Sequence, residues 1–132
     1  MEQRIDKTLG LLSIARKGGK LQVGEESVGG LLAEKRARLT LLASDAGAAT
    51  VRRIRQQVEG SRQQILTLPY DKQTLGAALG RQAVAVAALT DVSLALDLVN
   101  TLQSGTVDPE LLAELERRVS RVKARRSSKR NS

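Results

Sequence analysis

The stretch SIARKGGKLQVGEESV, Ser13 to Val28, holds a helix end, a short strand and a helix start in one tight unit. A helix carrying Ile5, Leu9 and Leu12 on one face is expected to stop at Gly18-Gly19. There the second glycine can take the left-handed conformation that closes off helix-terminal carbonyls. Arg16 and Lys17 fall in the last turn, where cations suit the helix dipole. A strand with Leu21 and Val23 follows, and at Gly24 the chain turns into a second helix that opens Glu25-Glu26-Ser27. Glycine leaves nothing to shield the free amides at that helix start, so a ligand can approach closely.

Composition limits what such a unit serves. The chain has 132 residues and 41% hydrophobic content, enough for one domain with a real core. Its apolar residues are almost all aliphatic: there is no Phe or Trp, and Tyr70 is the lone aromatic residue, so base stacking is not a major binding mode. Lys and Arg outnumber Asp and Glu by 22 to 14, a net charge of +8 that favours polyanions, nucleic acid first. Without Cys or His there is no disulfide, no thiolate zinc site and no Ser-His chemistry. No metal or cofactor is expected. The opening MEQRIDK lacks the apolar core of a signal peptide and no apolar run approaches membrane-spanning length, so a cytoplasmic protein with no membrane partner is expected.

Along the chain, strands and helices alternate. The second helix runs from Glu25 to about Ala33, with Val28, Leu31 and Leu32 inward and Gly29-Gly30 weakening it. Leu39 to Ala43 is a continuous apolar run that fits a strand buried on both faces. Ser44-Asp45 is expected to cap a third helix carrying Val51, Ile54 and Val58 inward and Arg52, Arg53 and Arg55 outward, ending near Gly60. Ile65 to Leu68 is the third strand. Asp71 caps a short helix that Gly80 ends, Arg81-Gln82 forms a loop, and Ala83 to Leu89 is the fourth strand. Thr90-Asp91 starts a helix with Val92, Ala95, Val99 and Leu102 on one side. Doubly buried strands separated by helices imply a sheet between two helical layers, an α/β class, three-layer α/β/α sandwich. Gly105 to Val107 reads as a hinge, and Asp108-Pro109 starts an extra C-terminal helix with Leu112, Leu115, Val119 and Val122 on one stripe. The organisation expected is thus a domain over 1–104, a helix over 105–126 and a basic disordered tail over 127–132.

LGLLSIARKGGKLQVGEESV, LTLLASDAGAAT and TLGAALGRQAVAVAALTD, in that order and spacing, resemble the L-seven-Ae family of ribosomal proteins, nearest its small bacterial YlxQ-type members. The resemblance covers Thr8 to about Leu102. It implies a four-stranded mixed sheet and binding to kink-turn RNA, gripped by the turn from the first strand into the second helix and by the loop before the last strand. Carried over by position, the RNA-binding residues are Gly24, Glu25, Glu26 and Ser27 with Arg81, Gln82, Ala83 and Val84; Lys17 and Lys20 flank them on the phosphates. Strong kink-turn readers of the family have Asn, Glu and Lys where this chain has Glu26, Ser27 and Gly30. A group that donates and accepts has become one that only accepts, and a cationic phosphate contact is gone.

Each of these residues also has a plain structural use. Glu25 and Glu26 suit the start of any helix, and the residues alone favour that use; the resemblance turns the ranking toward RNA. Lys17 and Lys20 serve equally as helix-end charges. Arg52, Arg53 and Arg55 are read as a solvated face, and Ser44-Asp45 as a cap, since no activating base accompanies it.

The expectation is a non-enzymatic RNA-binding protein, acting in a ribonucleoprotein on structured, kink-turn-like RNA. Ribosomal RNA, with ribosome association and a place in translation, is the expected partner, and no small-molecule substrate. Two alternatives stay open: a protein-interaction module of the same fold with residual RNA affinity, and a stand-alone substrate-recognition subunit of an RNA-modifying enzyme.

Overall fold

The structure, a computed structural model, describes residues 6–102 and 105–130. Among the described residues, four strands, β1 (Leu21–Val23), β2 (Leu39–Leu42), β3 (Ile65–Thr67) and β4 (Val86–Leu89), lie among six helices. The helices are α1 (Lys7–Lys17), α2 (Glu25–Ala33), α3 (Ala48–Val58), α4 (Lys72–Leu79), α5 (Val92–Asn100) and α6 (Pro109–Arg130). The strand order is β1-β4-β2-β3. β4 runs antiparallel to both β1 and β2, and β2 pairs parallel with β3, so the sheet is mixed.

Every residue of β2 and of β4 is buried, because successive side chains point to opposite faces and both faces are covered. Leu39, Leu41, Ala87 and Leu89 join a core with α1, α4, α5 and α6. Leu42, Val86 and Ala88 face the other way, onto Val28, Leu31 and Leu32 of α2 and Ile54 of α3. This is the three-layer α/β/α sandwich with its four-stranded mixed sheet and extra C-terminal helix.

Several boundaries follow side-chain capping. Asp71 accepts from the Thr74 N–H at 2.7 Å and Asp91 from the Leu94 N–H at 3.0 Å, so both cap the helices expected of them. Gly80 closes α4 at φ 71°, and Gly19 follows α1 at φ 74°. Asp6 caps α1 through the Thr8 and Leu9 amides and also accepts from the Tyr70 hydroxyl at 2.7 Å, which occupies the lone aromatic residue in structural work.

Four expectations need correction. Ser44-Asp45 does not cap α3, whose N-cap is Gly47; Asp45 instead accepts from the Lys72 N–H at 2.8 Å and ties two loops together. Strand β4 begins at Val86 and not at Ala83, because the chain before it is folded back onto α4. The buried stripe of α6 is Leu111, Leu115 and Val119, with Leu112 and Val122 at its margins; spacing of four centres the stripe one residue earlier than expected. Finally, α6 continues to Arg130, so the backbone is helical at 127–130 where a disordered tail was expected. Ile5 and the boundary at residue 104 lie outside the described residues.

Leu115 is fully buried against α5 in the larger core. Leu115→Ala should therefore cost about 2–5 kcal/mol, the range for emptying a core leucine site, read by chemical denaturation. A loss below about 0.5 kcal/mol would mean that α6 contributes nothing to the fold's stability.

Candidate nucleic-acid interface

Antiparallel pairing of β1 with β4 brings the end of one strand beside the start of the other. The Gly24 N–H donates to the Val86 carbonyl at 3.0 Å, so the β1–α2 turn and the loop before β4 meet at one edge of the sheet. The end of β2 arrives at the same edge, where the Ala43 N–H donates to Ala85 at 2.9 Å and Ser44 to Tyr70 at 2.8 Å.

Gly24 is the N-cap of α2 and supplies no side-chain acceptor for its first amides. Its backbone sits at φ 100°, ψ 151°, a region that side chains disfavour, while the space a Cβ would fill is open. Glycine is needed here for conformation first. The openness that results leaves the helix start accessible, and the exposed Glu26 and Ser27 follow it.

Glu25 is turned elsewhere. Its carboxylate takes two bonds from the Arg53 guanidinium, at 2.5 and 3.0 Å, and one from the Thr50 hydroxyl at 3.1 Å. The Arg53 bond is the main reason its carboxyl is held below the usual carboxylate range. Arg53, read from the sequence as part of a solvated face, is exposed like Arg52 and Arg55 but also bridges α3 to the start of α2.

The second loop is held by a residue that sequence reading passed over. A Cβ at Gly76 would lie 2.7 Å from the Arg81 carbonyl oxygen and 2.8 Å from Ala83 Cα, so the loop lies directly on α4. The Arg81 N–H donates to Gly76 at 2.8 Å, and the Val84 N–H to Lys72 at 2.9 Å. The loop thus runs back along the helix it has just left. Arg81, Gln82 and Ala83 are exposed, whereas Val84 is buried in the core and anchors the loop. The signal in the sequence was a glycine inside a helical pattern, Leu75-Gly76-Ala77, which costs helix stability unless something packs on it.

The two lysines part company. Lys17 shares a shallow pocket with Gly80 and so flanks the start of the Arg81 loop, and Arg16 beside it donates to the Leu79 carbonyl. Lys20 stands at the other end of β1 from Gly24, about 13 Å away along the strand, where its carbonyl accepts from Thr90.

The fold can be placed among known structures. It is similar to a protein of unknown function from Bacillus halodurans C, with 26% identity, a TM-score of 0.66, and coverage of 74% of this chain and 97% of that one. It is also similar to the Giardia lamblia 15.5kD RNA binding protein, with 18% identity, a TM-score of 0.60, and coverage of 82% and 83%. The chain shares their fold. No protein-family profile and no curated protein sequence matches it. Among the described residues, no helix is long and apolar enough to cross a membrane.

Two outcomes are expected of this geometry. Gly76→Ala should push the loop off α4 at a cost of about 1–3 kcal/mol, with faster amide exchange at Arg81 and Val84 than elsewhere in the domain; unchanged exchange there would show that Gly76 does not hold the loop. Arg53→Gln should return the Glu25 carboxyl toward its ordinary pKa, since the pairing that depresses it is removed. A carboxyl titration followed by NMR checks this, and a value that stays depressed would assign the shift to another group.

Proposed function

We propose that this chain is a non-enzymatic protein that binds structured RNA at the edge where Gly24–Ser27 and Arg81–Ala83 meet. The observation that carries the reading is the Gly24 to Val86 hydrogen bond, which brings an uncapped helix start beside the first residue of β4, the strand into which the exposed Arg81–Ala83 loop leads. Amides at a helix start attract anions. In the same account, Arg81 and Lys17 supply phosphate contacts, and Ser27 and Glu26 meet base edges. A solved RNA-binding protein with this fold supports the assignment, as does the net charge of +8. The resemblance to the L-seven-Ae family, and to its small bacterial members, extends the proposal to kinked RNA of the ribosome and a place in translation. Glu25, engaged with Arg53, contributes through the position of α2 and not through its own carboxylate.

Binding should weaken steeply with salt. Lys17→Ala should flatten the log-log salt dependence by roughly 0.7 to 0.9, one phosphate contact, whereas Lys20→Ala, at the far end of β1, should leave binding to a short kinked hairpin unchanged. Salt-insensitive binding would contradict the electrostatic account.

Restoring the family's residues gives a sharper test. Gly30 is exposed and a side chain there meets no neighbour, so Gly30→Lys fits without repacking. Combined with Glu26→Asn and Ser27→Glu, it should raise affinity for a standard kink-turn RNA by roughly 1–3 kcal/mol per good base contact. A folded triple variant with no gain would mean that this edge is built for another partner, and would favour the protein-interaction alternative.

A further inference from the structure

A second concentration of positive charge lies at the opposite end of the sheet. The Arg38 N–H donates to the Leu89 carbonyl at 2.7 Å, at the end of β4, while Gly24 bonds to Val86 at its start. The two edges are therefore about 10 Å apart along β4 alone. At the Arg38 edge a cleft of about 530 Å³ opens between the sheet's end and α6. Among the described residues, Lys35, Arg38, Arg62, Arg118, Arg121 and Arg125 line it, against one carboxylate, Glu114.

That carboxylate is already committed. Glu114 bonds Arg117 at 2.7 Å and Arg118 at 3.0 Å and lies 3.7 Å from Arg121, so it fixes the arginine wall and leaves little negative charge to oppose a ligand. Arg118 also reaches across the cleft to donate to the Arg62 carbonyl, tying α6 to the segment before β3. Among the described residues no carboxylate pairs with Lys35, Arg38, Arg62 or Arg125. These cations come from the α2–β2 turn, the segment before β3 and α6, and only folding brings them together.

We propose that this cleft is a second RNA site, one that takes phosphodiester backbone without reading sequence. The proposal rests on the reading above that RNA is the ligand, but not on which edge binds a kink. Arginine forks match phosphate oxygens in pairs. The cleft has no aromatic residue on which a base could stack, and its apolar lining is confined to Ala37, Val92 and Val122. Protein hot spots combine arginine with large aromatic anchors, and this surface offers the arginines without the aromatics, which favours a polyanion over a protein. The helix α6 thus extends the domain's contact from one end of the sheet to the other, and the protein grips a longer RNA at two places.

The test compares two probes by fluorescence anisotropy: a continuous, unkinked RNA duplex of about 20 base pairs, and a short kinked hairpin. The cleft variant Arg38→Gln/Arg62→Gln/Arg125→Gln spares Arg118 and Glu114, so the α6 contacts stay, and thermal melting checks the fold. It should lose about tenfold in affinity for the duplex near physiological salt, with a salt slope shallower by about two to three, and keep its affinity for the hairpin. An unchanged duplex affinity and slope would overturn the proposal. So would a polyglutamate peptide that binds the intact protein more tightly than the duplex and is lost in the same variant, since the cleft would then serve an acidic protein. Arg81→Gln, measured in parallel, separates the two sites. If it leaves hairpin binding unchanged while the cleft variant loses the duplex, the loop edge fails as the kink reader and the cleft assignment stands.

Discussion

Strand β4 is the constraint on which the rest depends. Its four residues are hydrogen-bonded to neighbours on both sides and covered on both faces, so Val86 and Ala88 fix one helical layer while Ala87 and Leu89 fix the other. A shift of one residue in its register would exchange the two faces and unpack both layers at once. The small residues Ala87 and Ala88 suit this central place, because both helical layers must approach closely. The same strand fixes what happens at its ends. Its start receives Gly24 and the Arg81 loop, and its end receives Arg38 and the basic cleft.

Charge and conformation divide the remaining work. The loop edge is shaped by backbone: a glycine at positive φ, a second glycine that admits a loop onto α4, and an uncapped helix start. The cleft is shaped by side chains, with Glu114 holding the arginines of α6 in a row. Asp6 and Tyr70 belong to neither. Their hydrogen bond is the largest cause of the lowered Asp6 pKa, while burial, followed by that bond, raises Tyr70. The sign for Asp6 is fixed: its contribution to stability is present above the unfolded carboxyl value and is lost as pH falls through the lower folded one.

Much of this architecture could be read from residues whose local chemistry allows one use. The runs Leu39 to Ala43 and Ala83 to Leu89 are too apolar for an exposed strand, and Asp71, Gly80 and Asp91 mark helix ends without ambiguity. Asp45 was legible only as far as its type: a cap residue before a helix caps that helix unless a nearer competitor exists, and here the Lys72 amide is that competitor. The start of β4 was misplaced because Val84 is buried by packing on α4, which an apolar pattern cannot distinguish from burial in a strand. For the site, Gly24 was visible as a turn into a helix, but the partner of Glu25 was not, since Thr50 and Arg53 lie a helix away. The basic cleft was invisible for the same reason, as its cations are scattered from Lys35 to Arg125.

The central claim is that RNA meets the edge formed by the β1–α2 turn and the loop before β4. Amide chemical shifts of the isotope-labelled protein, followed while a short kinked RNA hairpin is titrated in, test it most directly. The account predicts that the largest changes fall on Gly24 to Ser27 and on Arg81 to Ala83, with the outer face of α3 unmoved. Changes confined to α3 or to α6, with those two segments silent, would contradict it.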